Sequence, residues 1–91
     1  MRKRLTAYFS GTVQGVGFRY TAGHLSRKFE VTGFVRNLSD GRVEVVAEGE
    51  EGVLKNFLEA IRESSLSGYI REVEVDWGAA AGSFTRFGVK Y

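Results

Sequence analysis

From Leu5 to Phe9 the chain alternates, with Leu5, Ala7 and Phe9 on one side, which is the period of a half-buried strand. The period lengthens at Phe18. Phe18, Ala22, Leu25 and Phe29 then recur at helical spacing, with Arg19, His24, Arg27 and Lys28 off that stripe. This predicts an amphipathic helix of about three turns. Gly23 within it costs up to about 1 kcal/mol against alanine, so packing must hold the helix. Val31 to Asn37 returns to strand character, and Leu38-Ser39-Asp40-Gly41 reads as a hairpin connection with Asp-Gly at its positive-φ corner. A third strand follows from Arg42 to Glu48, with Val43, Val45 and Ala47 on one face and Glu44, Val46 and Glu48 on the other; Gly49 is expected to end it. Val53, Leu54, Phe57, Leu58 and Ile61 predict a second amphipathic helix that closes by Ser64-Ser65. Ser64 to Gly68 reads as loop, Ile70 to Trp77 as a fourth strand, Gly78 to Ser83 as a flexible link, and Phe87, Val89 and Tyr91 as a short last strand.

The order is β-α-β-β-α-β with a terminal strand, the split βαβ pattern. Right-handed crossovers then put both helices on one face of an antiparallel sheet. The expected fold is α+β, a ferredoxin-like sandwich, in a single domain over residues 1–91. That fold hosts unrelated activities, so the residues must choose among them. A metal chaperone of this shape needs a cysteine pair, and the chain has no cysteine. An RNA-recognition module needs aromatic residues on its third strand for base stacking. Here Arg42-Val43-Glu44-Val45-Val46-Ala47-Glu48 supplies none, and two carboxylates instead.

Gly11-Thr12-Val13-Gln14-Gly15-Val16-Gly17-Phe18-Arg19, three glycines in seven residues, lies between the first strand and the first helix. Glycine permits tight turns with amide N–H groups facing inward. Ahead of a helix N-terminus such a run can cradle an anion, because unpaired amides and the helix dipole point the same way. Arg19 would add a planar fork suited to phosphate. On the glycine pattern alone, a tight strand-to-helix turn with a surface arginine fits equally well. The loop is neither a dinucleotide fingerprint nor a Walker motif, since no third glycine falls at the required spacing and no Gly-Lys-Ser/Thr occurs.

Composition narrows the choice. A net charge of +2, with both signs interspersed, favours small anions without arguing for nucleic acid. The lone histidine, His24, rules out a multi-histidine metal site and is expected on the helix surface. Glu44, Glu48, Glu72 and Glu74 read as solvated strand faces, Asp40 as a turn residue, and Trp77 and the seven phenylalanines as packing. No apolar run approaches the about 20 residues of a membrane span. The expectation is a cytoplasmic protein that binds neither nucleic acid nor membrane.

Val13-Gln14-Gly15-Val16-Gly17-Phe18-Arg19 and Gly33-Phe34-Val35-Arg36-Asn37-Leu38-Ser39-Asp40-Gly41-Arg42-Val43-Glu44 resemble the two signatures of the acylphosphatase family at the family's spacing. Size, element order and the closing Phe87-x-Val89-x-Tyr91 are similar too, so the resemblance covers nearly the whole chain. Three positions depart from it. Phe34 stands where tryptophan is usual, Ser65-Leu66-Ser67-Gly68 replaces a Gly-Pro pair, and Glu30 replaces the glycine that commonly ends the first helix. The last predicts a helix without a left-handed cap.

The resemblance implies metal-independent hydrolysis of acyl phosphates to a carboxylate and inorganic phosphate, with no cofactor. Carried over by position, Arg19 binds the phosphoryl group and Asn37 holds the attacking water. Gln14, Gly15, Val16, Gly17, Phe18 and Arg19 then form the substrate-binding loop, which inorganic phosphate or sulfate can also occupy. A carboxylate leaving group, whose acid has a pKa of about 4, needs no general acid. What remains is positioning and charge stabilisation. The other reading is a non-catalytic module that binds phosphate or an acyl phosphate within a larger assembly; related domains sit at the start of hydrogenase-maturation carbamoyltransferases. The chain length and Asn37, which pure binding does not need, favour the enzyme over the binding module, and a monomer is the default expectation. The acyl group is not specified by any recognisable sequence feature.

Overall fold

In the computed structural model, which describes residues 1–91, the alternation of Leu5, Ala7 and Phe9 buries all three side chains on one face of strand β1 (Arg2–Gly11). Helix α1 (Phe18–Phe29), strands β2 (Thr32–Asn37) and β3 (Val43–Glu50), helix α2 (Glu51–Arg62) and strands β4 (Ile70–Ala79) and β5 (Phe87–Val89) follow. The sheet order is β4-β1-β3-β2-β5. The first four strands in that order are antiparallel neighbours, giving the ferredoxin-like arrangement expected from the pattern. Val35, Val43, Val45 and Ala47 extend the buried face, and Phe18 and Ala22 of α1 with Leu54, Phe57 and Ile61 of α2 close the core over it. Phe29 and Phe57 join the two helices at 6.2 Å between ring centroids.

The sheet is mixed rather than wholly antiparallel, because β5 lies parallel to β2, with Phe87 opposite Gly33 and Val89 opposite Val35. The cause is the segment after β4. β4 and β5 are opposite edges of the sheet, so residues 80–86 must cross it. They cross the side away from the helices. There Glu48 accepts hydrogen bonds from the amides of Ala81 (2.9 Å) and Gly82 (3.0 Å), and Phe84 meets Phe34 edge-on at 5.9 Å. The link expected over Gly78–Ser83 is therefore part strand and part anchored strap.

That strap also corrects the reading of the acidic faces. Glu48 is 1% exposed and Glu44 7%, whereas Glu72 and Glu74 are exposed as expected. Arg4 Nε donates to Glu48 at 2.8 Å, and Arg36 Nε pairs with Glu44, so neither buried carboxylate lacks a partner. Gly49 does not end β3. It pairs with Lys3, and the strand runs on to Glu50, an extended residue at the start of α2. Glu30 does form a left-handed cap at φ 56°, ψ 43°, donating its amide to the Ser26 carbonyl, so the absence of glycine has not removed the cap. No helix is long and apolar enough to cross a membrane.

Candidate active site

Phe9, Val43 and Asn37 are cross-strand neighbours, so the end of β1, the start of β3 and the end of β2 share one edge of the molecule. The glycine-rich loop closes that edge. Its entry is fixed by Gly11, where a Cβ would lie 2.3 Å from the Tyr69 carbonyl oxygen, and by the Thr12 amide, which donates to the same oxygen at 2.9 Å. Val13, fully buried, and Phe18, 2% exposed and 4.8 Å from Phe9, pin its two ends into the core. Between them Gly15 and Gly17 take φ values of 80° and 82°, and a Cβ on either would meet nothing. These two glycines are required by backbone conformation, not by crowding.

The arch so formed leaves its donors free. None of the amides from Gln14 to Arg19 donates to a loop or turn carbonyl, and a helix offers no acceptor to its own first turn. Gly17 caps α1 without a side-chain hydrogen bond, and the first turn has no acidic residue. The positive end of the dipole therefore faces the loop uncompensated. Arg19 stands in this first turn without a carboxylate partner; its guanidinium lies 5.2 Å from the centroid of the Tyr91 ring. Two cationic features at one place are unfavourable alone and become favourable around an anion.

Arg19 and Asn37 line one cleft of about 350 Å³, together with Val13, Gly15, Gly17 and Phe18. Gln14 and Val16 do not. Val16 packs on the core. The Gln14 side-chain amide donates to the carbonyls of Leu38 (2.8 Å) and Arg42 (2.9 Å), tying the loop to the β2–β3 hairpin. His24 is exposed and outside the cleft. Asp40 keeps to its turn, its carboxyl held below the ordinary value first by the Arg42 amide and then by the Arg42 side chain. Gly41 supplies the corner at φ 94°.

The cleft also contains residues that the sequence reading passed over. Tyr20, Val89 and Tyr91 line it. Tyr20 adjoins Arg19 and could have been found from that alone. Val89 and Tyr91 arrive only through the parallel pairing of β5, and no local pattern announces that.

No Asp, Glu, His or Lys residue lines the cleft, and no group of three or more His, Cys, Asp or Glu residues could hold a metal ion. Free amides, a guanidinium and a neutral side-chain amide on a ferredoxin-like sheet give an α+β protein whose cleft suits a small oxyanion. The comparisons make the class specific. The sequence model of the acylphosphatase family matches residues 5–89. The acylphosphatase of Salinibacter ruber is 43% identical over 97% of this chain and 93% of its own length. That of Lactobacillus gasseri is 41% identical over 98% and 99%. The crystal structure of acylphosphatase from Bacillus subtilis superposes with a TM-score of 0.90 at 35% identity, covering 98% of this chain and 99% of that one. The chain belongs to the acylphosphatase family and is an enzyme that hydrolyses acyl phosphates.

Proposed function

We propose that the hydrolysis is performed by Arg19, Asn37 and the amides from Gln14 to Arg19, acting on small acyl phosphates within one domain over residues 1–91. The amides and the Arg19 guanidinium hold the phosphoryl oxygens. The Asn37 side-chain amide orients a water in line with the scissile P–O bond. The water oxygen bonds to phosphorus as the bond to the acyl oxygen breaks, and the carboxylate departs with the electron pair. One water proton passes to a phosphoryl oxygen, so the products are a carboxylate and inorganic phosphate. The leaving group is stable as an anion, and the step needs neither a general acid nor a metal or cofactor.

The observation that carries this reading is that Arg19 and Asn37, 18 positions apart in sequence, line one cleft with no intramolecular carboxylate on the first and no side-chain partner on the second. Inorganic phosphate, as product, and sulfate are expected to occupy the same amides. The protein is further proposed to act as a cytoplasmic monomer.

The test is phosphate release from acetyl phosphate with chelator present. Arg19→Ala and Asn37→Ala should each lower kcat/KM by about 10²–10³ or more, the usual cost of removing a charge-stabilising donor. Turnover by Asn37→Ala at the parent rate would remove Asn37 from the mechanism. Phosphate binding without turnover by the parent protein would favour a module that only binds.

A further inference from the structure

Six large hydrophobic side chains are exposed: Met1, Tyr20, Tyr69, Trp77, Val89 and Tyr91. Three of them, Tyr20, Val89 and Tyr91, line the same cleft as Arg19 and Asn37. Tyr20 is 78% exposed, Tyr91 99% and Val89 40%. Such concentration is unusual, since exposed apolar side chains on a monomer ordinarily lie scattered. It also coincides with the place where a substrate must leave the loop. A phosphoryl group bound by the amides directs its one esterified oxygen, and hence the acyl group, away from them. Apart from the loop residues and Asn37, the cleft is lined by two phenol rings and an isopropyl group.

From this geometry we infer that Tyr20, Tyr91 and Val89 form the acyl subsite, and that the enzyme prefers acyl phosphates whose acyl group is uncharged, flat and apolar. The inference rests on the proposed function, since it takes the phosphoryl group to lie on the loop. Three features support it. The Tyr91 ring lies against the Arg19 guanidinium, 5.2 Å away, which places it beside the residue that takes the phosphoryl group. Tyrosine supplies a large rigid surface at low conformational cost and pairs with another ring offset or edge-on. Finally, the only charged side chain lining the cleft is Arg19, which the phosphoryl group engages. A second charge on the acyl group would find no charged side chain to pair with there, whereas a flat apolar group gains contact with the rings.

The test compares kcat/KM for benzoyl phosphate and acetyl phosphate in the parent protein, Tyr20→Ala and Tyr91→Ala. Comparing the ratio across proteins cancels the difference in intrinsic reactivity of the two compounds. The benzoyl-to-acetyl ratio should fall about tenfold in each variant, the discrimination ordinarily available from a few apolar contacts. Tyr20→Phe, which keeps the ring, should retain the parent ratio. Turnover of both substrates with a ratio unchanged by Tyr20→Ala and Tyr91→Ala overturns the acyl subsite and leaves the proposed function standing. Failure to turn over either substrate overturns both. A fall of Tyr91→Ala by the same factor on both substrates also overturns the subsite, because it would assign the ring to Arg19 alone.

Discussion

The side-chain amide of Gln14 donates to the carbonyl of Leu38 at 2.8 Å, which fastens the glycine-rich loop to the residue immediately after Asn37. A second bond, to the Arg42 carbonyl at 2.9 Å, closes the same link across the mouth of the hairpin. Both hydrogens of one amide group are thereby used to fix the spacing between two arms of the site. Gln14→Ala removes both bonds and should cost about 1–3 kcal/mol of stability, about 1 kcal/mol for each neutral bond lost. It should also lower kcat about tenfold, because the spacing of Arg19 and Asn37 is no longer held. Gln14→Glu, which places a carboxylate against two carbonyl oxygens, should be the worse of the two. Urea unfolding and steady-state kinetics on both variants separate these effects. Equal kcat in the parent and Gln14→Ala would show that the link serves folding alone.

The loop glycines should divide by mechanism. Gly11→Ala puts a methyl group 2.3 Å from the Tyr69 carbonyl oxygen, a backbone atom that can move only with the start of β4. It should destabilise by about 3 kcal/mol or more, in the range of strained overpacking. Gly17→Ala has open space and suffers only from its φ of 82°, so about 1–2 kcal/mol is expected. The two should also separate kinetically. Gly17 caps α1, so a shift there moves the amides proposed to hold the phosphoryl group, and kcat/KM should fall by a larger factor than in Gly11→Ala. Thermal melts beside kinetics on the two variants check this. The same rank order in both measurements would contradict it.

The contrast between those glycines reflects what the sequence could and could not convey. The strand–helix order, the buried faces of β1 and β3, the Asp40-Gly41 corner and the identity of the loop were legible, because each depends on spacing within a few residues. Period-2 alternation separates the faces of β3 but does not say what covers each face. Glu44 and Glu48 therefore looked solvated, although Arg36 covers one and the strap over residues 80–86 covers the other. The parallel pairing of β5 with β2 is set by the path of that strap, which joins segments more than 50 residues apart. Hence Val89 and Tyr91 could not be placed in the cleft beforehand. Asn37 was singled out only through the resemblance of two motifs, and Arg19, already noted beside the glycines, was given its expected role by the same resemblance. Spacing alone would have left Arg19 as a helix-start cation at the wrong end of a dipole.

Glu30 offers a gain in stability. It is the sole non-glycine residue with positive φ, and it ends α1 in a left-handed cap. A side chain in that conformation costs about 1–2 kcal/mol, part of which glycine returns through the greater freedom it gives the unfolded chain. Glu30→Gly should stabilise by about 0.5–1 kcal/mol, raising Tm by about 2–8 °C for a domain of this size. Activity should stay at the parent level, since Glu30 lies at the far end of α1 from Arg19. Differential scanning calorimetry checks the sign. A lower Tm would mean that the Glu30 side chain makes a compensating interaction in solution.

Glu48 sets the acid limit of the fold. Burial alone would raise its carboxyl, but the amides of Ala81 and Gly82 and the Arg4 side chain outweigh that and hold it below its ordinary value of 4.5. A carboxylate depressed in the folded state adds stability that is complete above the unfolded pKa and is lost as pH falls through the folded one. The contribution of Glu48 should therefore be full at neutral pH and decline below about pH 4.5. Glu50 and Glu51 are lowered as well, chiefly by the N-terminal amine and Lys55, but these pairs are solvent-exposed and screened by salt. Glu48→Gln keeps one oxygen for the strap, turns an NH2 group toward the second amide and removes the charge facing Arg4. It should cost about 2 kcal/mol at pH 7. Its stability should also fall less steeply between pH 5 and 3 than the parent's, because the variant has no carboxyl to protonate there. Urea midpoints measured across that range, in high salt to suppress the surface pairs, supply the comparison. Parallel curves for the two proteins would relieve Glu48 of this role and place the acid sensitivity elsewhere. Weakened at its Glu48 anchor, the strap would also loosen β5, so kinetic loss in Glu48→Gln should be greater for benzoyl than for acetyl phosphate if Val89 and Tyr91 contact the acyl group.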